Sequence, residues 1–205
     1  MKNLIFFCTL AICLPIAAQA QMKMQLGGKL GGGLGSYPYN ETEGIAVTQK
    51  AFFAYKIGLA ARVADETSTM FLETGVLYDR KGTKQEQNLG RLGSSDIVIE
   101  KTYSVSYLTI PVHVGYNFGY FYLNSGVGLS FYLSNTRRTR GLSSTQQDNT
   151  TTLDSYKSFS PCFDIGGGFN IGKKTSLGVE YSRGYKVFLA GGNTNTTEIV
   201  LKQYF

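Results

Sequence analysis

The stretch Tyr120-Phe121-Tyr122-Leu123-Asn124-Ser125-Gly126-Val127-Gly128-Leu129-Ser130-Phe131-Tyr132-Leu133-Ser134 alternates residue by residue. Phe121, Leu123, Val127, Leu129, Phe131 and Leu133 occupy one face, broken only by Ser125. The other face carries Tyr, Asn, Gly and Ser. A helix groups its apolar residues every three or four positions, whereas a period of two belongs to a strand with one apolar side. This run predicts a long strand whose second face holds small or polar residues.

The same pattern recurs until eight runs are counted: Met22 to Leu34, Ala51 to Ala64, Thr69 to Lys81, Tyr103 to Phe118, Tyr120 to Ser134, Phe159 to Ile171, Thr175 to Ser182 and Thr196 to Phe205. The gaps between them alternate in length. Gly35 to Lys50, Gly82 to Thr102, Asn135 to Ser158 and Arg183 to Asn195 are long; Asp65 to Ser68, the turn at Phe118-Gly119-Tyr120 and Gly172-Lys173-Lys174 are short. An even number of strands with short turns at one end and long loops at the other is the pattern of a transmembrane barrel. A bilayer core admits only helices and closed barrels, because no backbone group can stay unpaired there. The expected fold is all-β: an eight-stranded antiparallel up-and-down transmembrane β-barrel with short periplasmic turns and long extracellular loops.

Composition agrees. The 205 residues include 25 Gly and no Trp, with 13% aromatic and 17% charged residues. A typical domain has about 7% Gly and about 25% charge. The apolar content excludes a disordered chain, and a mean hydropathy of −0.09 excludes a bundle of membrane helices. Residues 1–20 read as a cleaved signal peptide: Lys2 supplies a positive start, Leu4 to Ile16 an apolar stretch, and Ala18-Gln19-Ala20 a small-x-small cleavage site before Gln21. Leu10-Ala11-Ile12-Cys13 is a poorer lipoprotein signal, since bulky Ile12 precedes the cysteine. Cleavage leaves residues 21–205 as the barrel domain, with Cys162 as its single cysteine and no possible internal disulfide. It also takes one charge from the +6 of the whole chain, leaving +5. In an exported chain, outer-membrane lipids and anionic lipopolysaccharide, not nucleic acid, are the expected counterpart of that charge.

Alternation does not say which face points outward. A secreted lipocalin-like carrier of small ligands would turn its apolar face in. Here the non-apolar face is Gly, Ser, Asn and Tyr where a water-washed wall would carry Lys, Glu and Thr, and small residues suit the crowded lumen of an eight-stranded barrel. With the apolar face outward, the lumen receives Lys23, Lys29, Lys56, Arg62 and Lys202, and also Glu73, Asp79, Asp164, Glu180 and Glu198. Five charges of each sign imply a salt-bridged, plugged interior, because buried charges must be paired. Glu73 and Glu180 as a catalytic carboxylate pair is the competing reading, weakened by the abundant cations around them.

The ending Glu198-Ile199-Val200-Leu201-Lys202-Gln203-Tyr204-Phe205 alternates and stops on an aromatic residue. In this it resembles bacterial outer-membrane barrels, and the resemblance implies that Tyr204 and Phe205 form the signal read by the barrel-assembly machinery. Leu72-Glu73-x-Gly75-x-x-Tyr78-x-x-Lys81-Gly82, Tyr107-Leu108-x-Ile110-Pro111-Val112 and Phe121-Tyr122-Leu123-x-x-Gly126 resemble the pattern of the PorT-like outer-membrane β-barrel family. That resemblance spans the mature chain and implies the fold. For activity it implies at most a part in a protein export or secretion apparatus, and it transfers no functional residue.

Other chemistry is thinly supported. Gly167-Gly168-Phe169-Asn170-Ile171-Gly172-Lys173-Lys174 approaches a phosphate-binding loop but has Lys174 where Ser or Thr is needed, and no helix follows. His113 is the only histidine, which rules out a multi-histidine metal centre, and its parity points it into the lumen. Cys162 reads as a small buried filler, and Pro111, which has no N–H to donate, predicts a bulge or a rim position. Arg137, Arg138 and Arg140 fall in the longest predicted loop, where they are able to meet lipopolysaccharide phosphates; the following 143–152 stretch is Ser, Thr, Gln and Asn-rich and reads as flexible. The sequence therefore describes a non-enzymatic barrel of the outer membrane, without cofactor or metal, that offers extracellular loops to the envelope or a partner, with possible partners among secretion-apparatus proteins.

Overall fold

A computed structural model describes residues 22–36, 47–65, 69–92, 95–141, 149–151, 158–184 and 193–205. The expected leader at residues 1–20 and its cleavage site lie outside these, as does most of the 143–152 stretch. The described residues form ten strands: β1 (Met22–Ser36), β2 (Val47–Lys50), β3 (Phe52–Asp65), β4 (Met70–Leu92), β5 (Ser95–Asn117), β6 (Phe121–Gly141), β7 (Asn149–Thr151), β8 (Phe159–Ile171), β9 (Thr175–Gly184) and β10 (Thr194–Tyr204).

Eight of them close a ring. β1 pairs with β3, then β4, β5, β6, β8, β9 and β10 follow as antiparallel neighbours, and β10 pairs back to β1. β2 and β7 are short additions to β4 and β6. Stepping straight across the ladders from Met24 passes through Val63, Leu72, Val114, Ser125, Ile165, Tyr181 and Thr197, and returns to β1 at Leu34. The return point lies ten residues from the start, and this even stagger lets every strand keep one face inward around a tilted ring.

That inward face is the polar one. Lys202 and Glu73 are 0% exposed, while Leu59, Phe53 and Ile199 are 71%, 63% and 63% exposed. A soluble protein has the opposite arrangement, so the apolar-inward carrier is not what this chain builds. Aromatic rings gather at both edges of the apolar belt. Tyr116, Phe118 and Phe121 stack at the short-turn end, with centroids 4.7 and 5.2 Å apart; Tyr55–Tyr78 and Phe131–Phe159 lie at the other, at 6.0 and 5.5 Å. The cross-strand pairs Met70–Tyr116 and Tyr78–Leu108 bound this belt on β4 and β5. Eight residues of tilted strand make a height of roughly 20 Å, close to the ~25 Å apolar band of such barrels.

Two of the three short turns form as read, and the third, Asp65 to Ser68, lies mostly outside the described residues. Gly119 and Gly172 have φ of 89° and 77°, where a side chain is strained, and the Gly119 amide donates to Asn117 Oδ1 at 3.0 Å. The phosphate-loop-like stretch is therefore one hairpin, β8 running into β9. Two of the four long gaps differ from expectation, while Gly35 to Lys50 and Arg183 to Asn195 lie mostly outside the described residues. Gly82 to Thr102 is not a loop: β4 and β5 stay paired to Leu92 and Ser95, with a register shift between Asn88 and Arg91. Asn135 to Gly141 prolongs β6 and pairs with β5 and β7. Beyond the belt neither face meets lipid, so these strands carry polar residues on both sides and lose the alternation that marks them in the sequence.

Pro111 produces neither a bulge nor a rim position. It sits in the middle of the belt, where the β4–β5 ladder lapses between Thr74–Val112 and Leu77–Thr109 and resumes in the same register. The Thr74 hydroxyl donates to the Pro111 carbonyl at 2.8 Å. The one bulge in β6 lies higher: Tyr107 pairs with Tyr132 but Ser106 with Ser134, so Leu133 is an extra residue.

Candidate functional site: a charged lumen plug and a basic outer wall

Inside the ring the inward parity of β1, β3, β4, β9 and β10 brings lysines and carboxylates together. Lys29 Nζ lies 2.8 Å from Glu180 Oε1 and 3.3 Å from Glu73 Oε1. Lys202 Nζ lies 2.9 Å from Glu73 Oε1 and 3.2 Å from Glu180 Oε1. Lys56 Nζ reaches Glu180 Oε2 at 3.3 Å and Glu198 Oε2 at 2.5 Å. Each ammonium thus meets two carboxylates and each of Glu73 and Glu180 at least two ammoniums, the alternation that buried charge requires.

Further groups extend the plug both ways. Below, Arg62 lies 3.7 Å from Glu73 and stacks over the rings of Phe71 and Tyr204, 4.1 and 4.8 Å from their centroids. Tyr204 donates to Glu73 Oε2 at 2.9 Å. Above, Lys81 pairs with Asp79 at 2.9 Å, and His113 Nε2 meets Asp164 Oδ2 at 2.9 Å. Cys162 Sγ lies against the Gly128 carbonyl at 3.5 Å. The free space among Lys29, Lys56, His113, Asp164 and Glu180 is about 10 Å³, no more than one water needs.

The sequence list of lumen charges needs two corrections. Lys23 is exposed: it lies below the point where β1 first pairs with β10 at Gly27, so no closed lumen surrounds it. Lys81, which ended a run in the sequence reading, is 6% exposed and takes that place inside. Its signal was parity with Asp79, missed because the strand was taken to stop there. Five cations and five carboxylates remain. Tyr204, read only for assembly, also proves to be a lumen group.

Glu73 and Glu180 are not a free acid–base pair, since Lys29 and Lys202 stand within bonding distance of both. Glu73, His113 and Glu180 bring one donor atom each within 4.8 Å of one another, the geometry of a small cation site, but the same two ammoniums already supply the positive charge there.

The arginines stand in strand β6, not in a loop; alternation puts Arg137 on the face opposite Arg138 and Arg140, and the Leu133 bulge sets which face points inward. Arg137 faces the barrel axis, its guanidinium 5.6 Å from the Tyr103 ring centroid. Arg138 and Arg140 face outward and line a cleft with Arg80, Lys84, Glu100 and Thr102 on the wall formed by β4, β5 and β6.

A family model described as outer membrane protein beta-barrel domain matches residues 6–202. The chain belongs to that family. It is an outer-membrane barrel, and its apolar belt is the surface that lipid covers. Among solved structures it is similar to Ail, the attachment invasion locus protein of Yersinia pestis, solved with the heparin analogue sucrose octasulfate, at 12% identity over 89% of this chain and 99% of that one, with a TM-score of 0.43. Neisserial surface protein A gives 12% identity over 90% and 99%, also at 0.43. The outer membrane protease OmpT of Escherichia coli gives 10% over 90% and 96%, at 0.41. Comparison with curated proteins returned no match. At such identities the likenesses carry no activity to this outer-membrane barrel.

Proposed function

We propose that this barrel is a non-enzymatic surface protein that works through its outer extensions, with a lumen closed to solutes. The plug is the observation that carries this reading: ion pairs from seven strands cross the axis, and the space among Lys29, Lys56, His113, Asp164 and Glu180 is about 10 Å³. The extensions carry the rest, since β4 and β5 stay paired past the belt as far as Leu92 and Ser95. The expected partners are envelope lipids, lipopolysaccharide or a second protein, and the barrel-assembly machinery during biogenesis. A leader cleaved before Gln21 belongs to the same reading.

Two measurements test it. In planar bilayers the purified barrel is expected to give no steady single-channel steps, and regular ion conductance would refute the closed lumen. The intact mass of protein taken from outer-membrane fractions is expected to start at Gln21.

The PorT-like motifs favour a second reading, that of an accessory part of an export apparatus. Its support is the run Leu72-Glu73-x-Gly75-x-x-Tyr78, which sets Glu73 into the plug and Tyr78 into the upper girdle. Loss of secreted proteins on deletion, restored by the intact gene and not by one lacking residues 86–98, would select that role.

A further inference from the structure

We infer that the outward cleft on β4, β5 and β6 binds the phosphate of an outer-leaflet lipid headgroup. The inference rests on the preceding reading only in placing the strand extensions at the outer leaflet.

The register shows how the cleft arises. Tyr78, Leu108 and Phe131 form one row across the three strands and are the last apolar outward row. The next row is Arg80, Ser106 and Ser134; two residues further come Gly82, Ser104 and Thr136, and then Lys84, Thr102 and Arg138. Cationic side chains therefore begin two residues above the girdle. At about 3.3 Å per residue and a ~40° tilt that is about 5 Å above the apolar edge, the level of lipid headgroups.

The chemistry across the cleft suits a phosphate. Lys84 on β4 and Arg138 on β6 flank Thr102 on β5 in one row, so two cations stand two strand spacings apart, ~9.5 Å, with a hydroxyl between them. Arg80 donates to Ser104 Oγ at 3.2 Å, which holds its guanidinium over the lower end of the cleft. Arg140 and Glu100 close the upper end. Four cations and a single carboxylate line a space of about 400 Å³, room for a phosphorylated sugar. The neighbouring Lys50, opposite Lys84 in the ladder, is neutralised by Glu86. Guanidinium and ammonium groups beside hydroxyl donors recognise phosphate oxygens through charge-assisted bonds. The Leu133 bulge is what makes the cleft possible, because without it Arg138 and Arg140 would point to the barrel axis.

The test uses the mature barrel in phosphatidylcholine vesicles doped with bisphosphorylated lipid A or with its fully dephosphorylated form, followed by native mass spectrometry of the extracted protein. Retention of the bisphosphorylated form is expected, and Lys84→Gln/Arg138→Gln should lower it at least about tenfold, as loss of charge-assisted bonds implies. Lys173→Gln, in the opposite turn, should change nothing, and unboiled gel mobility of each variant reports that the barrel is folded. Equal retention of dephosphorylated lipid, unchanged binding in the double variant, or displacement by equimolar inorganic phosphate would each overturn the inference. Tryptic cleavage of the β4–β5 hairpin in intact cells separately reads its orientation. A protected hairpin would overturn the outer-leaflet placement even if lipid bound in vesicles, whereas failure to bind would leave the closed-barrel reading standing.

Discussion

Glu180 on β9 and Glu198 on β10 stand directly opposite each other in the ladder, and the Lys56 ammonium from β3 touches both, at 3.3 and 2.5 Å. Like charges on facing positions of a sheet repel; Lys56 bridges the rung, and Lys29 and Lys202 add to the compensation on the Glu180 side.

Lys56→Met should therefore cost about 3–5 kcal/mol, the range for stranding a buried charge. Urea unfolding of the barrel in vesicles measures it. Adding Glu198→Gln to the same variant should recover much of the loss, and a Lys56→Met barrel as stable as the parent would show that the plug contributes no net stability.

The lipid face predicts a depth dependence. Val127 pairs with Val112 at mid-belt, so Val127→Arg should destabilise by about 2–4 kcal/mol, whereas Phe121→Arg at the girdle should cost about 0–1 kcal/mol. Similar values at both positions would mean that the apolar belt has been placed at the wrong height.

Gly119→Val and Gly172→Val put a β-branched side chain at positive φ. Each should cost about 1–2 kcal/mol through backbone strain and slow the appearance of the heat-modifiable form on refolding. The same change at Gly32, which has no positive φ, serves as the comparison.

The last two residues separate two roles. Tyr204→Phe removes the hydrogen bond to buried Glu73 and should lower stability in vesicles by about 1–3 kcal/mol. Phe205 is 76% exposed, and its ring has no place in the plug. Phe205→Ala should leave stability unchanged while reducing the amount assembled in cells, and an equal fall in both assays would reject the division.

Fold and interior were legible in the sequence to different depths. Alternation between lipid and lumen is a two-solvent signal, so Tyr120 to Ser134 announced its strand and its faces directly. Once both faces are polar, as from Gly82 to Thr102, that signal vanishes, and a paired hairpin reads as a loop. The lumen charges followed from parity wherever a strand was followed to its true end, which is why Lys29, Glu73 and Glu180 were found and Lys81 was not. One inserted residue, Leu133, reverses the parity of everything after it and so turns Arg137 inward and Arg138 and Arg140 outward. Partnerships lay deeper still, because they depend on cross-strand register over long connections that local pattern does not report.

The charge pattern also bears on how the ring comes to be closed. The neighbours β3 and β4 face each other with opposite charges, Lys56 with Asp79 and Arg62 with Glu73. The seam between the first and last strands does the reverse, setting Lys29 against Lys202, and the next ladder sets Glu198 against Glu180. Within β1, β9 and β10 the compensation is diagonal, Lys29 and Lys202 both reaching Glu180, and it is completed by Lys56 of β3 at Glu198 and by Glu73 of β4 at the two lysines. A smaller ring zipped shut with β3 and β4 left out would take Lys56 away from Glu198 and leave Lys29 and Lys202 sharing the one carboxylate of Glu180. Closing the ring without β3 and β4 is thus disfavoured by the same ion pairs that fill the axis of the complete barrel.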